Sequence, residues 1–356
     1  MADPVAWEVA ERVAIRVAGR EPFSESYHYA SLQPDFDQLT ARAEDLVAAE
    51  TGLRSLSGPA RARVTDRAGW IRANLASFRR LLRPLTERLG SRMSSGPLGS
   101  VARTVAGAEV GTLLGWMSTR VLGQYDLLVA EHEDPDEQDL VYYVGPNVLS
   151  IEKRFAFPPR EFRLWLSLHE VTHRAQFTGV PWMRDHFLSL VDHSLATVDP
   201  DPRRFFDALR RAVEQVRAGR NPLDEGGLVA LLANPEQRAV LDQVQGLMSL
   251  LEGHGDLTMD RAGAGDVPSA ERFHRVLRQR RQAAGMARVL QRLVGIEAKL
   301  LQYEQGARFI RAVEEAAGPE ALTTIWRGPE WLPTLTEIRD PSAWLARVGV
   351  GAPARH

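Results

Sequence analysis

The spacing of apolar residues predicts a chain built mainly of α-helices. Apolar side chains recur every three or four positions over long stretches, which is the pattern of a helix that buries one face. The stretches with this pattern are residues 4–19, 35–52, 60–89, 101–122, 182–195, 201–218, 235–256, 269–284 and 286–317. After residue 325, three tryptophans and three prolines in a short stretch predict short helices that cap the core. We therefore expect a mainly α fold.

One segment instead has the composition of a β-strand. Residues 140–144 are aliphatic or aromatic, and Gly145-Pro146-Asn147 is a turn sequence. Pairing of residues 148–151 with this strand would form a small β-hairpin, whereas residues 123–126 are predicted to form a turn. The edge of the hairpin either holds a substrate backbone by strand addition or is purely structural, and both alternatives stay open.

The helix that follows this segment carries a His-Glu-x-x-His motif. Pro158 and Pro159 suit its start, and His169 and His173 are four residues apart, so that their side chains project side by side. A helical wheel places both histidines on an apolar stripe that includes Phe162, Trp165, Leu166 and Phe177. Two buried imidazoles need either hydrogen-bonding neighbours or a divalent metal, most often zinc. Because Glu170 lies between them and can take a proton from a water on that metal, the motif favours metal binding.

A zinc held by two histidines needs a third protein ligand, and the helix predicted over residues 235–256 offers one. On its wheel Glu252 falls about 20° from Leu241, in the middle of an apolar face. A carboxylate there is costly unless it is paired or binds a cation, so Glu252 is the predicted third ligand. The alternative is a solvated Glu252 at a helix end that Gly253 and Gly255 fray.

His254 and Asp256, which follow Glu252 in the sequence, are predicted to have supporting roles. His254 is predicted to stand at the mouth of the site and to stabilise the oxyanion of a tetrahedral intermediate. The Glu-x-x-x-Asp spacing of Glu252 and Asp256 resembles that of gluzincins such as thermolysin, which implies that Asp256 orients a metal ligand. The metzincin pattern does not fit, because Gln176 stands where it needs glycine.

Composition narrows the range of functions. The 356 residues have a formal net charge of −2 and a pI near 6.5, so no nucleic-acid partner is expected. No stretch approaches the length of apolar sequence that a membrane span requires, and no signal peptide is evident. The absence of cysteine excludes disulfides and thiolate ligands and fits a cytoplasmic location. We expect one compact unit, with an N-terminal helical layer over residues 1–125 and a metal-binding region over residues 126–356.

Four runs of sequence are similar to a bacterial family described as zincin-like metallopeptidases, sometimes labelled as associated with deazaflavin-coenzyme biosynthesis. The runs are Leu-Gly-Gln-Tyr-Asp at 122–126, Tyr-Val-Gly-Pro-Asn at 143–147, Leu-His-Glu-Val-Thr-His-Arg-Ala-Gln-Phe at 168–177 and Leu-Leu-Glu-Gly-His at 250–254. The resemblance extends over nearly the whole chain from Trp7 onward. It implies a mostly helical, zincin-like fold and a zinc site at His169 and His173. The small β-hairpin predicted above would lie beside the His-Glu-x-x-His helix. No phosphate-binding loop or nucleotide fingerprint supports the biosynthesis label.

These observations lead to one main hypothesis and two alternatives. The main hypothesis is a zinc-dependent metallopeptidase in which His169, His173 and Glu252 hold Zn²⁺ and Glu170 is the general base for attack of water on a peptide bond. Its partner is then a peptide or protein substrate, with no nucleic acid or membrane, and its oligomeric state is open. The alternatives are a catalytically silent, metal-stabilised binding or scaffold protein and an accessory hydrolase in cofactor biosynthesis.

Overall fold

A computed structural model of the protein describes residues 5–23, 25–81, 97–125, 127, 139–196, 235–282 and 296–349. Within these residues the chain is mostly helical, which confirms the predicted mainly α class. The helices are α1 (Trp7–Ala18), α2 (Tyr27–Ala30), α3 (Leu32–Thr51), α4 (Arg67–Leu81), α5 (Pro97–Ser118), α6 (Gly145–Phe155), α7 (Pro159–Gly179), α8 (Met183–Ala196), α9 (Pro235–Ala262), α10 (Ala270–Gln282), α11 (Ile296–Ala317), α12 (Leu335–Arg339) and α13 (Pro341–Val348). The strands are β1 (Arg61–Thr65), β2 (Gly123–Tyr125) and β3 (Leu140–Val144), and short 3₁₀ helices cover Pro319–Arg327 and Pro329–Trp331. The helix predicted over residues 201–218 lies outside the described residues.

The β-structure is a three-stranded sheet, which corrects the predicted pairing of residues 140–144 with 148–151. The strand order is β1-β3-β2, with β1 parallel and β2 antiparallel to the central β3. All five residues of β3 are buried, as expected for a strand covered on both faces. Because β3 is paired along both edges, the idea that it offers an edge for strand addition is wrong.

Residues 148–151 are helical because α6 begins directly after β3. Pro146 lies in the first turn of α6, where its missing N–H costs no hydrogen bond. Val148, Leu149 and Ile151 are buried on this helix. The apolar run that looked like a second strand is therefore the buried face of a helix.

For the other two strands, too, the local sequence pattern predicted a different structure. Residues 61–65, at the start of a predicted helix, form β1, and residues 123–125, predicted as a turn, form β2. Both are short and only half-buried, so their local patterns are weak. Pairing with β3, which is distant in sequence, decides their conformation.

Contacts between residues divide the chain into two compact units, the first of which comprises Met1–Pro181 and Thr258–Val276. In this unit Tyr143 of β3 joins α3 to α7. Its hydroxyl lies 2.9 Å from Thr40 Oγ1 and donates to Ser167 Oγ at 3.1 Å. Its ring stacks on Phe36 of α3 with ring centroids 3.8 Å apart. Complete burial raises the pKa of the Tyr143 phenol, so the group stays neutral and fixes α7 against the sheet.

The second unit comprises Trp182–Leu257 and Leu277–His356. Its apolar core consists of Leu250, Leu257, Ala307, Phe309, Ile310, Val313, Ala321, Ile325, Ile338 and Trp344. A hydrogen bond joins two of the C-terminal tryptophans, because Trp344 Nε1 donates to the Trp331 carbonyl at 2.9 Å. The short helices predicted after residue 325 are thus confirmed as a cap on this core.

None of the described helices combines the length and the apolar character that crossing a lipid bilayer requires.

Candidate metal centre

Helix α7 presents the two histidines of the motif side by side. It runs without a break from Pro159 to Gly179. His169 Nε2 and His173 Nε2 lie 3.2 Å apart, and the two rings are nearly perpendicular. Two nitrogens that bind one tetrahedral zinc at about 2.0–2.1 Å lie roughly 3.3–3.4 Å apart. The spacing of the two imidazole nitrogens therefore suits a shared metal ion.

A third side chain of α7 contacts the other nitrogen of His173. Gln176 Oε1 lies 2.9 Å from His173 Nδ1, and the Gln176 side chain is fully buried. An amide oxygen can only accept a hydrogen bond, so this contact needs the proton of the neutral imidazole on Nδ1. The lone pair then lies on Nε2, the atom that faces His169. Gln176 thereby selects the tautomer of His173 that can bind a metal through Nε2.

Glu170 lies between the two histidines in sequence and is nearly buried, with 8% of its surface exposed. The backbone N–H of Tyr125 in β2 donates to Glu170 Oε2 at 3.0 Å. A carboxylate held in this way has a defined orientation on the helix that carries the two histidines. The role of Glu170 as general base stays a prediction.

Glu252 lies on α9, which continues through Gly253 and Gly255 to Ala262. The alternative of a helix frayed at Gly253 is therefore wrong. Gly253 is instead the place where α9 crosses α11, because a Cβ on Gly253 would lie 2.3 Å from the backbone of Gly306 and Ala307. Close contact between two backbones explains the glycine next to Glu252.

The histidines and Glu252 form one group. Each of His169, His173 and Glu252 offers one ligand atom, and these atoms all lie within 4.8 Å of one another. The three side chains are half-buried. Two imidazoles and one carboxylate are the donor set of many catalytic zinc sites, so these residues fit a zinc ion and could hold a metal.

The two supporting residues lie on α9 beside Glu252. The His254 ring packs edge to face on Trp326, with ring centroids 5.2 Å apart. Asp256 is half-buried one turn beyond Glu252. Among the described residues, neither belongs to the group that could hold a metal. The oxyanion role of His254 and the orienting role of Asp256 stay predictions.

Sequence reasoning did not assign a role to Gln176, Tyr125 or Gly123. The role of Gln176 could have been found, because a residue three positions after His173 lies next to it on a helix. The contacts of β2 with Glu170 gave no such signal, since they join segments that are far apart in sequence.

Comparisons with known proteins identify the family of this chain. A profile of the family described as zincin-like metallopeptidase matches residues 5–345. A solved structure described as a "putative hydrolase with a novel fold from Chloroflexus aurantiacus" is similar over 97% of this chain and 99% of that one, with 31% sequence identity and a TM-score of 0.72. No curated protein matches the chain. Because the profile covers nearly the whole sequence, the chain belongs to the zincin-like metallopeptidase family.

Proposed function

We propose that this protein is a zinc-dependent peptidase. The observation that carries the proposal is the group of His169, His173 and Glu252, whose ligand atoms lie within 4.8 Å of one another beside a nearly buried Glu170. Family membership and the similarity to a structure described as a hydrolase support it. The substrate is a peptide or a protein.

In the proposed mechanism His169, His173 and Glu252 would hold a zinc ion. Zinc at such a site acidifies water and polarises a carbonyl group. Glu170 accepts the proton of the attacking water and delivers it to the amine that leaves, so that one carboxylate serves first as base and then as acid. Gln176 keeps His173 in the required tautomer. His254 is proposed to donate to the developing oxyanion, and Asp256 to support a ligand.

The first experiment measures the metal content of protein purified without chelators. We expect about one zinc per chain in the wild type and loss of zinc in His169→Ala, His173→Ala and Glu252→Ala. His193→Ala is the matched control, because His193 is an exposed histidine of α8 and should leave the zinc content unchanged. A wild-type protein without bound metal would contradict the proposed site.

The second experiment tests cleavage of a peptide library with and without a zinc chelator. Cleavage that the chelator abolishes and added zinc restores would support a peptidase. Bound zinc without cleavage of any peptide would instead support the metal-stabilised scaffold, and altered cofactor metabolites in a deletion strain would support the accessory hydrolase. A cytoplasmic location and the absence of a nucleic-acid partner stay predictions.

A further inference from the structure

The contact between Gly123 and Glu170 is unusually close. A Cβ built on Gly123 would lie 2.8 Å from both Cγ and Oε1 of Glu170, nearer than real Cβ atoms approach other heavy atoms. Gly123 is not among the glycines with positive φ, so its backbone conformation does not demand glycine. The space occupied by the Glu170 carboxylate is therefore the physical reason for a glycine at this position.

The neighbouring backbone of β2 holds the same carboxylate. β2 is an edge strand, and Val144 N–H donates to the Leu122 carbonyl at the start of its pairing with β3. In an antiparallel pair alternate residues direct their backbone groups toward the partner, so those of Tyr125 point away from β3. The outward N–H of Tyr125 is the donor that reaches Glu170 Oε2 at 3.0 Å.

The side chain of Tyr125 is fixed in turn by an ion pair between the buried Arg174 and the half-buried Asp139. Its hydroxyl donates to Asp139 Oδ1 at 3.1 Å, and Asp139 accepts from Arg174 at 2.5–3.1 Å. Arg174 is 1% exposed and also donates to Glu44 Oε1 at 2.7 Å. Arg174 lies one turn after Glu170 on α7. The contacts therefore lead from Arg174 through Asp139 and Tyr125 of β2 back to Glu170 on the same helix.

We propose that β2 is the positioning element for Glu170: Gly123 leaves room for its carboxylate, and the Tyr125 amide orients it. The Asp139–Arg174 pair holds Tyr125 in place through the phenol hydroxyl. A hydrogen bond from a backbone amide to a carboxylate oxygen is directional, so it restricts rotation of the side chain. The catalytic consequence rests on the proposed function, in which Glu170 is the general base. A displacement of about 1 Å of such a group costs on the order of 100-fold in rate.

The structural half of the proposal is tested by hydrogen exchange at the Tyr125 amide, which does not depend on activity. We expect exchange to be at least about ten times faster in Glu170→Ala, which removes the acceptor, and in Gly123→Ala, which displaces it. Gly69→Ala is the matched control for crowding, because its Cβ would meet the Thr65 hydroxyl at 2.2 Å and not the Glu170 side chain. Equal exchange rates in the wild type and Glu170→Ala would overturn the proposal.

The catalytic half is tested on whichever peptide the wild type cleaves. We expect Gly123→Ala to lower kcat about 100-fold with unchanged KM and zinc content. Added to Glu170→Gln, Gly123→Ala should lower kcat no further, because the group that it displaces is already inactive. Tyr125→Phe should cause a smaller loss, since it removes the hydroxyl but keeps the amide.

Two failures are distinguishable. A wild type that cleaves no peptide would contradict the proposed function, while the exchange experiment would still decide whether β2 holds Glu170. A wild type that cleaves peptides, together with a Gly123→Ala variant of undiminished kcat, would overturn the positioning role and leave the proposed function intact.

Discussion

Gln176 Oε1 lies 2.9 Å from His173 Nδ1, so a buried amide fixes the tautomer of one of the two motif histidines. In a metal-binding histidine, residues that hydrogen-bond to the ring nitrogen that does not bind the metal typically affect metal affinity by about 10–100-fold. We expect Gln176→Leu to weaken zinc binding within that range, because the Nδ1 proton loses its acceptor. Competition with a chromogenic chelator measures this. Gln243→Leu, which makes the same change at an exposed position of α9, should bind zinc as the wild type does; equal affinities in both variants would contradict the role of Gln176.

Replacing Glu170 by Gln should separate metal binding from catalysis. The amide keeps the size of the side chain but cannot accept a proton, so we expect kcat to fall about 100- to 10,000-fold while the zinc content stays the same. Steady-state kinetics and metal analysis of the same preparation check both halves. Glu161→Gln is the control, since Glu161 lies on the same helix and accepts a backbone hydrogen bond from Ser269 that a Gln oxygen can still accept. Undiminished hydrolysis by Glu170→Gln would contradict the proposed role of Glu170 as general base.

Gly253→Ala should destabilise the protein although alanine is the better helix former. Intrinsic propensity favours alanine by about 1 kcal/mol in a helix interior. At this crossing, however, the new methyl group would lie 2.3 Å from the backbone of Gly306 and Ala307, which cannot rotate away as a flexible side chain can. Overpacking of this kind costs about 1–3 kcal/mol, so we expect a lower Tm. Gly265→Ala should not lower the Tm, because nothing lies within 4 Å of its Cβ, and a Gly253→Ala variant as stable as the wild type would contradict the close crossing.

The C-terminal cap should lose stability in acid through Glu337. Burial by itself raises the pKa of this carboxyl, but hydrogen bonds from Arg347 and from the Thr334 backbone outweigh it, and the pKa lies below its usual value of 4.5. A depressed pKa in the folded state means that ionised Glu337 stabilises the fold above pH 4.5 and that this contribution is lost as the pH falls through the folded-state pKa.

Thermal unfolding as a function of pH tests this expectation. Near neutral pH, Glu337→Gln should have a lower Tm than the wild type, and the difference should shrink below about pH 4.5. Glu320→Gln, at an exposed glutamate of the same unit, should show no such dependence. A constant difference in Tm between Glu337→Gln and the wild type at every pH would show that the charge of Glu337 does not contribute.

The sequence alone predicted those elements whose conformation is determined by residues close together in the chain. The His-Glu-x-x-His spacing, the proline start of α7 and the helical periodicity around it lie within one stretch of chain, and α7 runs from Pro159 to Gly179 as this pattern indicates. The position of Glu252 on an apolar helix face is equally local. For this reason the three residues that could hold a metal can be predicted from the sequence alone.

Tertiary structure decided everything that depends on pairing across the chain. The short strands β1 and β2 carry too little local pattern to be predicted, and only their hydrogen bonds to the buried β3 make them strands. In the sequence Gly253 resembles a helix terminator, because glycine occurs both at helix ends and where two helices cross closely. The short distance to the backbone of α11 shows that Gly253 lies at a helix crossing. In the same way, the hydrogen bond from β2 to Glu170 joins residues more than forty positions apart, so no pattern of spacing along the chain predicts it.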